Sequence, residues 1–276
     1  MQHLFAGTGL RLSYDQRVVC DQLDLHIPRG TITTIIGPNG CGKSTLLRAL
    51  CRLIEPRAGQ ITLNDQPLAG MGRRQLARRL GFLPQVSTVP PGIRVRELVS
   101  RGRFPYQGFL RQWSHEDEAA VARALAETGL TDSADRLVDQ LSGGQRQRVW
   151  IALVLAQDTE VLMLDEPTTY LDIAHQLEVL ELCRRLNGEL GKSLVMVLHD
   201  LNLAARYSHH LIAMKQGRIV ATGSPADLLT PPRIEEVFGI QARVMRDPVT
   251  GSPLVVPVAS LQGAAAHAGQ DAGAGI

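Results

Sequence analysis

The chain has 276 residues, room for one large domain or two small ones, and 44% of them are hydrophobic, the share of a globular protein with a sizeable core. Its 29 Lys and Arg against 27 Asp and Glu leave a formal net charge of +2, so composition supplies no general drive towards an anionic membrane or nucleic acid, and no nucleic-acid partner is expected. No apolar run approaches the roughly 18 residues of a membrane-crossing helix; Met1 to Phe5 lacks the basic-then-apolar pattern of a signal peptide; and Cys20, Cys41, Cys51 and Cys183 show neither metal-ligand nor small-scaffold disulfide spacing. A reducing, cytoplasmic setting is expected, with any work at a membrane done through a partner.

Along the chain, Leu10, Leu12 and Tyr14, then Leu23, Leu25 and Ile27, alternate with polar residues, the period of half-exposed antiparallel strands. Thr31 to Ile36 is a short β-branched run suited to a buried strand. It leads through a glycine-rich loop to Lys43–Leu53, where Leu46, Leu47, Leu50 and Leu53 fall at helical spacing. Gln60 to Leu63 and Gly81 to Leu83 read as strands, the latter continuing to Gln85. From 86 to 159 the pattern becomes helical, strongest over Ser114 to Leu130 and after Leu141, which predicts a helical insertion into an α/β core of 1–85 and 160–240. Strand and helix alternate again at Val161 to Leu164, Asp172 to Leu190 and Ser193 to Leu198, the sign of a parallel sheet. Two extended segments flank Pro248-Val-Thr-Gly251, predicting a terminal hairpin within 241–260, and the Ala- and Gly-rich 261–276 is expected to be a flexible tail.

Three clusters carry chemistry. Gly37-Pro38-Asn39-Gly40-Cys41-Gly42-Lys43-Ser44 matches a phosphate loop, which chance would give in roughly one chain in a hundred of this size. Its glycines let successive N–H groups wrap a phosphate, Lys43 reaches the β and γ phosphates, and Ser44 offers a hydroxyl to magnesium. The apolar run Val161 to Leu164 delivers Asp165 and Glu166 at its carboxyl end, where ligands of open α/β sheets bind. Asp165 is placed for magnesium; Glu166, facing differently, for an attacking water. Gln85 can ligate magnesium and touch that water, and His199, ending the run Leu194 to Leu198, can donate to a γ-phosphate. Tyr14 offers a ring to an adenine. The third cluster is Leu141-Ser142-Gly143-Gly144-Gln145. Ser142 and Gln145 form a capping box, and two glycines leave the first N–H groups of the helix bare, an anion site.

Together these residues resemble the ATP-binding subunits of ABC transporters over nearly the whole chain. The fold implied is α/β, a RecA-like P-loop NTPase core with an N-terminal antiparallel β-subdomain and an inserted α-helical subdomain carrying the signature. The resemblance makes Tyr14 the adenine-stacking aromatic, Gly37 to Thr45 the Walker A loop and Gln85 the Q-loop glutamine. It makes Ser142, Gly143, Gly144 and Gln145 the core of the signature, Asp165 and Glu166 the Walker B aspartate and catalytic glutamate, Asp172 the D-loop aspartate and His199 the switch histidine. It implies ATP and Mg2+, and a homodimer in which each ATP lies between Walker A of one copy and the signature of the other. It also implies a membrane permease energised by that dimer, an indirect periplasmic or lipoprotein substrate-binding protein, and a peripheral place on the cytoplasmic face of the inner membrane. Gly40-Cys41-Gly42, Arg101-Gly-Arg-Phe-Pro-Tyr106, Asp165-Glu-Pro-Thr-Thr-Tyr-Leu-Asp-Ile-Ala-His175 and His199-Asp-Leu-Asn-Leu-Ala-Ala-Arg-Tyr207 are similar to the iron-siderophore import branch, which also handles haem and vitamin B12.

The stretch 86–111, just after Gln85, is expected to meet the permease. Arg94, Arg96, Arg101 and Arg103 sit there among Val95, Leu98, Val99, Phe104 and Tyr106, and Arg101 or Arg103 is the expected contact. A nucleotide kinase would need neither the signature nor a glutamate straight after the aspartate. A chromosome or DNA-repair ATPase of ABC type should carry long heptad arms or metal-hook cysteines, and a translation-associated one two tandem sites. A regulatory nucleotide-binding module remains the rival that sequence does not separate.

Overall fold

A computed structural model describes residues 3–85, 88–108 and 113–261. Strands β1 (His3–Tyr14), β2 (Arg17–Pro28), β4 (Ala58–Leu63) and β5 (Gln66–Pro67) form an antiparallel sheet in the order β2-β1-β4-β5. In β1, Leu10 and Leu12 are buried while Arg11 between them is exposed, as the period-two reading requires. A second sheet runs β10-β9-β3-β8-β7-β6, built from β3 (Ile32–Ile36), β6 (Leu80–Leu83), β7 (Val161–Asp165), β8 (Ser193–Val197), β9 (His210–Lys215) and β10 (Arg218–Gly223). Every pairing in it is parallel except β9 with β10 at one edge.

The parallel strands are apolar on both faces, and alternate residues feed two cores. Val161 and Met163 of β7, with Val195 and Val197 of β8, join Leu46, Leu47 and Leu50 of α1 (Lys43–Leu50) and the inner face of the antiparallel sheet. Leu162 and Leu164, with Leu194 and Met196, join α6 (Ile173–Gly188) and α5 (Gly143–Ala156) on the other side. Short α2 (Arg73–Ala77) precedes β6. Between β6 and β7 lie α3 (Val95–Ser100), a 3-10 turn (Arg101–Tyr106), α4 (His115–Glu127) and α5, which pack on one another and share the second core with the sheet. Helices α7 (Leu201–Tyr207), α8 (Pro225–Leu228) and α9 (Pro231–Phe238) lead to the hairpin β11 (Ile240–Arg246) and β12 (Pro253–Ser260), which is tied to α7 by Asn202 bonding both N and O of Val255. Residues 262–276 of the expected tail, and 86, 87 and 109–111 of the expected permease contact, lie outside the described residues.

The structure departs from several expectations. Helix α1 stops at Leu50, so Leu53 is 60% exposed instead of completing an apolar stripe. Strand β6 ends at Leu83, and Gln85 stands two residues beyond it. Val95, Leu98 and Val99 are core residues, not surface ones. Arg103 is 4% exposed: its Nε donates to Asp117 at 2.8 Å, its Nη1 donates to Ala156 O at the carboxyl end of α5, and its guanidinium lies over the Tyr106 ring. It is therefore an internal strut rather than a contact for a partner. The neighbouring Phe104 is 71% exposed.

Candidate active site

Four adjacent parallel strands, in the order β3-β8-β7-β6, end along one edge, and each delivers part of the site there. From β3 the chain passes through residues 37–42 into α1. At Gly37 the backbone runs so close to β9 that a Cβ would lie 2.2 Å from Met214 O, so only glycine fits. Lys43 is buried, and its Nζ donates to Gly37 O at 2.8 Å and Pro38 O at 3.0 Å. An ammonium has three protons, so one remains for a ligand.

From β7 come Asp165 and Glu166. Asp165 is fully buried; Oδ1 accepts from the Ser44 hydroxyl at 2.8 Å, while Oδ2 is buried with no hydrogen-bond partner and lies 3.9 Å from Arg48 Nη2. Burial pushes the Asp165 carboxyl above its usual range, only partly opposed by Ser44 and Arg48. Glu166 has a left-handed backbone (φ 54), uncommon for a residue with a side chain and typical of functional positions. Its Oε2 accepts from Gln85 Nε2 at 2.6 Å and from the Thr169 hydroxyl at 3.1 Å, and its Oε1 lies 2.6 Å from His199 Nε2. The fold thus gathers β6, β7 and β8 termini on one carboxylate.

Lys43, Ser44, Glu166 and His199 border a cleft of about 580 Å³ that is also lined by Tyr14, Asn39, Gly40, Gly42 and Thr45 together with Arg17, Val18, Val19, Gln216 and Gly217, whereas Gln85 and Thr169 line a neighbouring one. Tyr14 is half-exposed, and its hydroxyl accepts from Arg48 Nη1 at 3.2 Å. Pro38 lends its carbonyl to Lys43 and to the Cys41 N–H. Cys41 faces inwards beneath Gly37, and burial raises its thiol against the pull of Lys43, so it fills space rather than ionising.

The signature residues do not line this cleft. Ser142 caps α5 with the expected reciprocal box: its Oγ accepts from Gln145 N at 3.2 Å, and Gln145 Oε1 accepts from Ser142 N at 3.1 Å. The two glycines prove different. A Cβ on exposed Gly143 would meet open space, whereas buried Gly144 is covered by the His175 ring, so its missing side chain serves packing rather than bare access. Asp172 caps α6 through His175 N at 2.9 Å. A second cleft, about 630 Å³, runs between Gln85, Gly143 and the 91% exposed Tyr170.

Sequence reasoning missed Thr169, Arg48, Gln216, Gly217 and His175. Arg48 was visible in principle, one helical turn after Ser44 on the same face. The Gln216–Gly217 turn has no sequence signal: it reaches the site because β9 lies beside β3, and Gly217 N then donates to Cys41 O at 3.0 Å.

Residues 20–169 match the ABC transporter family. The chain is 52% identical to "Probable siderophore transport system ATP-binding protein YusV" of Bacillus subtilis strain 168, over 90% of each chain. It is 51% identical to the ferric enterobactin transport ATP-binding protein FepC of Escherichia coli K12, over 91% of this chain and 93% of that one. Among solved structures it resembles a chain of an inward-facing ABC transporter classed as metal-chelate type, with TM-score 0.81 and 26% identity, covering 94% of this chain and 98% of that one. The fold, the phosphate-loop cleft and these likenesses agree: the chain belongs to the ABC transporter family, as one of its ATP-hydrolysing subunits.

Proposed function

We propose that this subunit energises uptake of ferric siderophores through a separate membrane permease, working as a homodimer on the cytoplasmic face of the inner membrane. The observation that carries the ATPase mechanism is Glu166 Oε1 and Oε2 held at 2.6 Å by His199 and Gln85, beside the Ser44–Asp165 pair. The siderophore reading rests on relatives of about half identity, whose names place them in siderophore and ferric enterobactin transport.

In this reading Tyr14 stacks on the adenine, and the N–H groups and small side chains of residues 37–45 wrap the phosphates. Lys43 turns its free proton to the γ-phosphate. Glu166 accepts a proton from the attacking water, which forms the new bond to γ-phosphorus as the bond to the β–γ bridging oxygen breaks, releasing ADP and phosphate. His199 and Gln85 hold Glu166 and the water in line. Ser44 Oγ and the unpartnered Asp165 Oδ2 fit Mg2+, which when bound neutralises phosphate charge. An acceptor-only oxygen, buried and unsatisfied, is costly unless a cation completes it.

The dimer reading is supported by the incompleteness of the cleft. Its lining contains no signature residue, while Ser142, Gly143 and the bared start of α5 point into solvent beside the exposed Tyr170 and Ile173. A second copy laid head to tail supplies Ser142, Gly143, Gly144 and Gln145 to the γ-phosphate, with Asp172 at the seam. The permease contact centres on Phe104 and exposed Arg101, either side of the Arg103 strut. Membranes energised by the Phe104→Ala chain should hydrolyse ATP yet lose most siderophore uptake; unchanged uptake would move the contact elsewhere. The substrate reading is tested by uptake of labelled ferric siderophore, haem and cobalamin in cells with and without this chain. Loss of siderophore uptake supports it; loss of haem or cobalamin uptake alone reassigns the substrate, and no loss of any overturns the siderophore-branch reading while leaving the ATPase reading intact.

A further inference from the structure

Gly143 and Gly144 are neighbours in one helix, neither with a positive φ, yet only one of them has no room to spare. A Cβ at Gly144 would lie 1.8 Å from Cδ2 and 2.4 Å from Cγ of His175. That imidazole sits in the first turn of α6 and is tied from behind: Nδ1 is 2.7 Å from Asp172 Oδ1, which also accepts from the His175 N–H at 2.9 Å. With a carboxylate as acceptor, Nδ1 must carry the proton. The chain before Asp172 runs straight back to the catalytic carboxylate. Leu171 N donates to Thr168 O, Thr169 N to Glu166 O, and the Thr169 hydroxyl to Glu166 Oε2. One ring therefore bridges the loop that carries Glu166 and the start of the signature helix. The signature pattern itself asks for glycine at 144 but says nothing of what fills the space.

We propose that His175 is a positioning residue that sets the phosphate-binding end of the signature helix against the Glu166–Asp172 loop of the same chain. In the dimer, the loop serving one ATP thereby fixes the reach of the signature towards the other. The inference rests on the head-to-tail dimer proposed above, and the two fail separately in the following experiment.

With Glu166→Gln as the parent, the ATP concentration giving half-maximal dimer is measured by light scattering. Adding His175→Ala raises that concentration on the order of tenfold, the scale of a site-to-site coupling. The melting temperature and the affinity of the monomeric chain for a fluorescent ATP analogue stay at parental values, because the cleft of that chain contains neither His175 nor Gly144. His175→Asn, which keeps a donor for Asp172 without the ring, falls in between. Gly144→Ala dimerises poorly, and adding His175→Ala to it brings dimer formation back to the level of His175→Ala alone by removing the overlap. Unchanged dimerisation of the His175→Ala chain, or a shift matched by equal loss of monomer affinity, overturns the proposal. If the parent itself stays monomeric with ATP, the dimer reading falls. Amide exchange at residues 141–147 then decides the positioning role alone: faster exchange in His175→Ala upholds it, and unchanged exchange overturns it.

Discussion

Glu166 at the edge of the sheet is gripped by side chains from two other strand ends and from its own loop, whereas Ser142 at the signature is held by Gln145 and Arg146 of its own helix. The first region is assembled from β3, β6, β7 and β8, and among the described residues it leaves the buried Asp165 Oδ2 without a hydrogen bond and one Lys43 proton free. The second is one helix, fixed at its start by a capping box and the His175 ring, and at its end by Arg103 on the Ala156 carbonyl. Catalytic groups need mutual distances held by a rigid sheet. A group that must meet another molecule needs a firm helix with a free end. In the proposed dimer the first region serves the cleft side of the ATP and the second the facing side.

Substitutions in each region should separate accordingly. Glu166→Gln should cut turnover by about 10²–10⁴-fold, the worth of a general base, while ATP binding to the cleft persists; a chain that still turns over removes Glu166 from that role. Arg103→Met should cost about 3 kcal/mol in denaturant unfolding, because it leaves Asp117 charged and buried with its main partner gone. A loss under about 0.5 kcal/mol, the range of surface changes, would mean Arg103 is no strut. Since the bonds from Arg103 and Ser114 outweigh burial and hold the Asp117 carboxyl below its usual range, this stabilisation is present at neutral pH and is lost as acid protonates Asp117. Ser142→Ala should cost about 1 kcal/mol through the lost cap, measured on the same curves. Asp165→Asn should abolish turnover yet stabilise the free chain by about 1 kcal/mol, because folding no longer takes a carboxylate charge out of water. The sign follows from its raised carboxyl: folding favours the protonated form, so wild-type stability falls as pH rises through that pKa. The gain of the Asn chain therefore appears at neutral pH and vanishes in strong acid.

Much of the candidate site was legible because a phosphate-loop motif uses contiguous residues. Residues 37–45 and Asp165-Glu166 carry their geometry within a strand, a loop and a helix start, and the capping box of Ser142 and Gln145 is a local bond pair. What stayed hidden depends on contacts between distant segments. Arg103 reads as a surface cation until Asp117 and Ala156 close around it, and Val95, Leu98 and Val99 read as part of a mixed surface until α4 and α5 pack over them. The space at Gly144 is set by a residue thirty-one positions away. Helix α1 ended early because Arg52 takes a left-handed backbone (φ 54), which lifts Leu53 out of register.

In the proposed dimer each ATP is held by the cleft of one copy and the signature of another. The most direct measurement mixes two disabled chains in the Glu166→Gln background, one with Lys43→Ala and the other with Ser142→Arg, and follows dimer mass and bound nucleotide on adding ATP. With each ATP shared between copies, neither chain dimerises alone, and the mixture forms dimers holding a single ATP, in the cleft with intact Lys43 facing the intact Ser142. A mixture that stays monomeric, or either chain dimerising by itself, would contradict it.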